Sequence, residues 1–144
     1  MNVKIKKLKN NAIIPSRGSY LSAGFDLSAC IDNPIEIPPH QTIKIGTGLA
    51  IQPPKGYFGA IFARSGLSTK QGLRPANCVG VCDEDYTGEY VVAIHNDSDE
   101  WRDICAGERI AQLVFLPYLD INFEEVKELN VTDRGDKGFG SSGK

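Results

Sequence analysis

Apolar residues recur with a period of two in several short runs: Phe25-Leu27-Ala29, Ile35-Ile37, Ile43-Ile45, Leu49-Ile51, Tyr57 to Ala63, and Tyr90 to His95. Side chains of an extended strand alternate between its two faces, so each run predicts a strand with one face toward a core. Turn formers separate the runs at fairly regular intervals: Asp32-Asn33-Pro34, Pro38-Pro39, Pro53-Pro54-Lys55-Gly56, Thr87-Gly88, Asn96-Asp97-Ser98 and Ala106-Gly107. Strand then turn, many times over, predicts an all-β sandwich or barrel. One short helix is expected at Ser65 to Gly72, with the serine capping its start and the glycine ending it. No internal repeat is present. Composition shifts only near the end, where residues 132–144 turn polar and hold four glycines in thirteen residues. The expected organisation is one β domain over 1–131 and a flexible tail over 132–144.

A length of 144 residues suits a single domain, and 41% apolar with 24% charged residues places the chain among folded proteins. A net charge of −2 gives no general attraction for phosphate backbones, so no nucleic-acid partner is expected. No run approaches the roughly 18 apolar residues of a membrane helix, so no membrane partner is expected either. The basic start, Met1 to Leu8, lacks a following apolar stretch of secretory type, which points to a cytoplasmic protein. Cys30, Cys78, Cys82 and Cys105 form no C-x-x-C pair and are expected to be reduced and mostly buried. A zinc site from Cys78, Cys82 and His95 is the weaker reading, because alternate strand positions account for both cysteines. The H-x-E with P-C-x-x-C signature of zinc deaminases is absent.

Four segments carry candidate chemistry. Ala63-Arg64-Ser65-Gly66-Leu67-Ser68 sets a cation, a hydroxyl and a glycine where a strand hands over to the short helix, an arrangement suited to phosphate, although R-S-G taken alone more often marks an ordinary turn. Asn77 to Glu89 brackets an apolar stretch with polar groups, as in a hairpin folded around a flat ligand. Asn77 can donate to and accept from a pyrimidine edge, and Tyr86 can pack on a sugar. The acids Asp83, Glu84 and Asp85 also suit an ordinary solvated turn. In Gly107 to Leu113, strand alternation puts Ile110 and Gln112 on one face, and Gln112 needs a partner in backbone, water or phosphate. Arg134 to Gly143 combines cations, serines, glycines and Phe139, a composition able to close over a nucleotide.

In order and spacing Ala23-Gly24-Phe25-Asp26-Leu27-Ser28-Ala29, Ala63 to Ser68, Val79 to Gly88, Gly107 to Leu113 and Arg134 to Gly143 resemble the five motifs of the trimeric dUTPase family. The resemblance runs from residue 23 almost to the end of the chain. It implies a jelly-roll-like β-barrel, a homotrimer, and active sites assembled from several chains with the tail closing over a neighbour's site. It further implies hydrolysis of dUTP to dUMP and pyrophosphate by water attack on the α-phosphorus, which limits uracil in DNA and supplies dUMP for dTMP synthesis. By the same resemblance Asp83 activates the water, and Asp26 reaches a Mg2+ ion carried by the triphosphate through water. Arg64, Ser65, Gly66 and Gln112 hold phosphates, joined by Arg134, Ser141 and Ser142 when the tail closes. Phe139 and Gly140 cover the base. Asn77 and Val81 belong to the uracil pocket, and Tyr86 packs under the deoxyribose and excludes a 2′-hydroxyl. Phe25, Cys82 and Thr87 depart from the usual tyrosine, aliphatic residue and arginine, and oxidation of Cys82 beside Asp83 is a further hypothesis. The rival readings are a dCTP deaminase of the same fold and a regulatory module whose nucleotide occupancy controls docking to a protein partner.

Overall fold

The computed structural model describes residues 1–138. Eleven strands and one helix follow one another: β1 (Lys4–Lys7), β2 (Ser16–Arg17), β3 (Phe25–Ser28), β4 (Ile35–Ile37), β5 (Thr42–Gln52), β6 (Tyr57–Phe62), α1 (Ser65–Gln71), β7 (Leu73–Pro75), β8 (Val79–Cys82), β9 (Glu89–Asn96), β10 (Arg102–Ile104) and β11 (Arg109–Pro117). They pair antiparallel in a four-stranded sheet ordered β1-β5-β9-β7, a five-stranded sheet ordered β2-β3-β11-β6-β8, and a β4–β10 ribbon. The all-β, jelly-roll-like expectation holds. The strand orders are those of open sheets, and no pairing among the described residues closes them into a continuous barrel. The two-residue period explains the core. Leu27, Ile61 and Leu113 of the larger sheet cluster with Ile45, Ile51, Tyr90 and Ile94 of the smaller one, all buried.

Several sequence readings need adjustment. Ile43-Ile45 and Leu49-Ile51 lie on one eleven-residue strand, β5, whose register with β9 shifts between Gly46 and Ala50 without ending the strand. A second bulge, between Arg109 and Ala111 of β11, breaks the expected alternation, so consecutive Ile110 and Ala111 are both buried. Arg64, not Ser65, occupies the N-cap of α1 and gives no side-chain cap, whereas Gly72 ends the helix as expected in the left-handed region at φ 71°. Of the cysteines only Cys30 and Cys82 are buried. Cys78 sits in the turn before β8 and Cys105 in the turn after β10, where the backbone stands in solvent. Among the described residues no three His, Cys, Asp or Glu side chains gather as a metal cluster, and no helix is long and apolar enough to cross a membrane.

The rear of α1 is fastened firmly. Arg102 Nε donates to the Gln71 carbonyl at 3.0 Å, the Asp97 amide donates to the Gly72 carbonyl at 2.8 Å, and Arg74 pairs with Asp97 through two nitrogens. Asn96, fully buried, ties the same turn to β4: its Nδ2 donates to the carbonyls of Ile37 and Glu100, and its Oδ1 accepts from the Ser98 amide. Anchored from behind, the short helix presents its first turn to the adjoining cleft. Beyond Pro117 the described chain forms no further helix or strand.

Candidate functional site

Strand register assembles the first half of the site. β11 lies between β3 and β6, and Gln112 stands opposite Asp26 on one side and Phe62 on the other. Two residues past Phe62 comes Arg64, followed by the start of α1. These groups line an open cleft of about 470 Å3 together with Ser65, Gly66 and Arg109. Asp26 is its electrostatic centre, with a side chain only 17% exposed. Its Oδ1 accepts from Arg64 Nε at 2.9 Å and its Oδ2 from Arg109 Nη1 at 3.0 Å. The carboxylate thereby holds two guanidinium groups at the cleft wall, where their remaining N–H groups can meet further oxygens.

Gln112 finds a backbone partner: its Nε2 donates to the Ala63 carbonyl at 2.8 Å, which fixes the residue preceding Arg64. Gly24 makes this placement possible, since a Cβ there would stand 2.5 Å from Gln112 Oε1. A Cβ on Gly66 would meet nothing, so that glycine leaves open space at the mouth of the helix. With no side-chain cap, the first amides of α1 face a cleft already rich in cations.

The second half lies elsewhere on the chain. β8 pairs with β6 and β9 with β5 and β7, so residues 77–89 cross from one sheet to the other and do not form the expected hairpin. The reason is visible in β8, where Gly80 and Cys82 are buried against β6 while Val79 and Val81 face outward. A turn from Asp83 to Tyr86, closed by the Tyr86 amide on the Asp83 carbonyl at 3.1 Å, then redirects the chain. Asp83 and Val81 line an open cleft of about 760 Å3 with Gln52, Phe58, Glu84 and Tyr118. Asp83 is exposed and has no side-chain partner among the described residues. Its neighbour Glu84, in contrast, accepts from the Gly56 amide at 2.7 Å and the Tyr118 hydroxyl at 2.8 Å. Those bonds, the Gly56 amide first, pull the Glu84 carboxyl below its ordinary range.

Tyr86 is half-exposed, donates its hydroxyl to the Glu89 carbonyl at 2.9 Å, and sets its ring 6.1 Å from that of buried Tyr90. Burial pushes both the Tyr90 phenol and the Cys82 thiol upward, so each stays neutral beneath the Asp83 turn. Asn77 is exposed in the turn before β8, where its carbonyl accepts from the Val79 amide at 2.6 Å.

Among the described residues the two clefts share no lining residue. Arg64, Ser65, Gly66, Gln112 and Asp26 come together in one, and Val81 and Asp83 in the other. Arg134 lines neither: it lies in the exposed stretch after β11, with its Nε on the Lys137 carbonyl at 3.0 Å. Phe139, Gly140, Ser141 and Ser142 lie outside the described residues. Sequence reasoning missed Arg109 and the Glu84–Tyr118 contact. Arg109 was legible in part, as the cation three residues before Gln112 on a strand adjacent to Asp26, whereas Tyr118 carried no local signal.

A model of the dUTPase family matches residues 10–143. The chain belongs to the dUTPase family. Two curated dUTPases show how far the likeness extends. The deoxyuridine 5′-triphosphate nucleotidohydrolase of Hydrogenobaculum sp. is 42% identical over 143 residues, 99% of each chain. That of Desulfitobacterium hafniense is 47% identical over 131 residues, covering 90% of this chain and 87% of the relative. Among solved structures, the dUTPase of Staphylococcus bacteriophage 80alpha with dUPNHPP superposes with a TM-score of 0.85 at 30% identity, covering 99% of this chain and 98% of that one. The dUTPase resemblance read from the five segments therefore holds over nearly the whole length.

The donor set also bears on magnesium. A dedicated all-protein cage would need several carboxylates, and among the described residues the cleft beside α1 offers only Asp26, both of whose oxygens are engaged by arginines. Such a site fits Mg2+ that arrives with a triphosphate and keeps its waters, and does not fit a resident ion ligated directly by protein.

Proposed function

We propose that this chain hydrolyses dUTP to dUMP and pyrophosphate, with Asp83 as the group that orients and deprotonates the attacking water. The observation that carries the reading is the pairing of a free carboxylate with a preformed anion cleft on a chain of this family. Among the described residues Asp83 and Asp85 are both exposed without a side-chain partner while Glu84 is occupied, and of the two free acids the family resemblance assigns the water to Asp83. Arg64 and Arg109, steadied by Asp26, would receive the phosphates together with Ser65, Gly66 and the helix amides. Mg2+ bound to the triphosphate would be held by Asp26 through water and would supply charge neutralisation at the phosphates.

Because the two clefts lie apart on one chain, the reading includes a homotrimer in which Asp83 of one copy faces the anion cleft of another. The tail over 132–144, with Arg134, Phe139, Gly140, Ser141 and Ser142, would close over a site so formed. Asn77 would pair with the uracil edge, Val81 would line its pocket, and Tyr86 would pack under the deoxyribose and exclude a 2′-hydroxyl. The enzyme would act in the cytoplasm, limiting uracil incorporation into DNA and supplying dUMP for dTMP synthesis.

The test is pyrophosphate release from dUTP, dCTP, dTTP and UTP with Mg2+, for wild type and Asp83→Asn. Turnover of dUTP alone, lowered about 10³-fold in the variant, is the expected result, in line with loss of a positioned general base. Ammonia release from dCTP would replace this reading with a deaminase, and an Asp83→Asn protein of wild-type activity would remove Asp83 from the chemistry.

A further inference from the structure

Glu84 has no part in the reading above, yet three segments meet at one of its oxygens. The Gly56 amide and the Tyr118 hydroxyl both donate to Glu84 Oε2, at 2.7 and 2.8 Å. The Tyr118 amide in turn donates to the Gly56 carbonyl at 3.1 Å, which closes a ring. The ring joins the β5–β6 turn, the turn that carries Asp83, and the first residue after β11.

Its position along the ladder gives it a purpose. The β6–β8 pairing ends at Gly59 opposite Cys82. Continued two steps in opposite directions, that register sets Glu84 against Tyr57, one residue from Gly56. Beyond Cys82 the chain leaves the sheet, and the Glu84 side chain makes the cross-strand bond that the departing backbone does not. Asp83 lies between the last ladder pair and this tether, without a side-chain partner among the described residues.

We propose that Glu84 is a positioning residue that holds the Asp83 carboxylate in place and, through Tyr118, couples it to the departure point of the C-terminal segment. The inference rests on the dUTP-hydrolysis reading. Electrostatics agree from both partners: the Glu84 carboxyl is lowered, by the Gly56 amide first, and the Tyr118 phenol is raised, by Glu84 first. A charged acceptor and a neutral donor are thus the favoured forms, the combination that makes a strong hydrogen bond.

The test is steady-state dUTP hydrolysis with Mg2+, alongside thermal melts, for wild type, Glu84→Ala, Glu84→Gln, Tyr118→Phe and the Glu84→Ala/Tyr118→Phe pair. Glu84→Ala should lower kcat about 30-fold, the scale of a small misplacement of a reacting group, with KM changed less than about threefold. Glu84→Gln should recover most of the rate, since its amide oxygen still accepts the Gly56 N–H. Tyr118→Phe should cost about fivefold in kcat and add nothing once Glu84 is gone, the mark of two groups acting through one contact. Wild-type kcat in a folded Glu84→Ala protein, a loss confined to KM, or equal losses in the Ala and Gln variants would overturn the proposal. If Glu84→Ala does not fold, Tyr118→Phe decides by the same split of kcat from KM. Wild type that turns over no dUTP would sink the dUTP reading itself, and this inference with it.

Discussion

Removing the Asp26 carboxylate should push stability and anion affinity in opposite directions. In Asp26→Ala two charge-assisted bonds disappear, at 2.9 Å to Arg64 and 3.0 Å to Arg109. The Arg64 side chain is 26% exposed and that of Arg109 55%, so solvent screening leaves the second pair worth little. Together they amount to about 2 kcal/mol, or roughly 6 °C in Tm for a two-state chain of this length. The two guanidinium groups, no longer neutralised from behind, then face the cleft alone. A triphosphate without metal gains by losing a nearby negative charge, by about 1 kcal/mol after screening, or roughly fivefold in Kd. Added Mg2+ should tighten binding less than in wild type, because the carboxylate that would meet its waters is gone. Calorimetric titration with a non-hydrolysable dUTP analogue, with and without Mg2+, and a thermal melt measure all three quantities. Weaker metal-free binding by a folded Asp26→Ala protein would refute the reasoning and show that Asp26 serves chiefly to hold the arginines in position.

Two further outcomes follow from the geometry. Gly24→Ala places a methyl 2.5 Å from Gln112 Oε1 and so displaces Gln112 from the Ala63 carbonyl, and the KM for dUTP should rise about tenfold with about 1–3 kcal/mol of overpacking strain. An unchanged KM would detach Gln112 from the anchoring of Arg64. Acid stability should depend on Glu84, held low by the Gly56 amide first, and on Asp97, held low by its bond to Arg74 first. A carboxyl with a depressed folded pKa stabilises fully above its unfolded value, and that contribution fades as pH falls through the folded value. The Tm should therefore drop as pH falls below the ordinary carboxyl range of about 4, and a Glu84→Gln/Asp97→Asn double variant should show a shallower drop. An identical slope in the variant would discard both groups as acid-sensitive contacts.

How much of this was legible in the sequence depends on how local each signal is. The strands were readable because a half-buried strand imposes a period of two, and the end of α1 because Gly72 takes a left-handed backbone. Bulges were not readable: an extra residue at Ile110 looks like alternation until its partner strand is known. The expected hairpin over 77–89 failed for the same reason, since nothing in Val79 to Cys82 says whether β6 or β9 lies beside it. Asp26, Arg64 and Gln112 were recognised through their motifs, but their meeting depends on β11 lying between β3 and β6, a long-range fact. Among the three consecutive acids, local sequence did not separate Asp83 from Glu84. Gly56 and Tyr118 make the difference, and they lie 28 and 34 residues away.

The separation of the two clefts also changes what a defective chain means. If Asp83 of one copy serves the anion cleft of another, a chain damaged at Asp83 and a chain damaged at Arg64 are each inactive alone but complementary when mixed. Some sites in the mixed assembly would draw both intact groups from different parents. Inheritance of activity would then belong to the population of chains, and dilution that separates the copies would silence the enzyme.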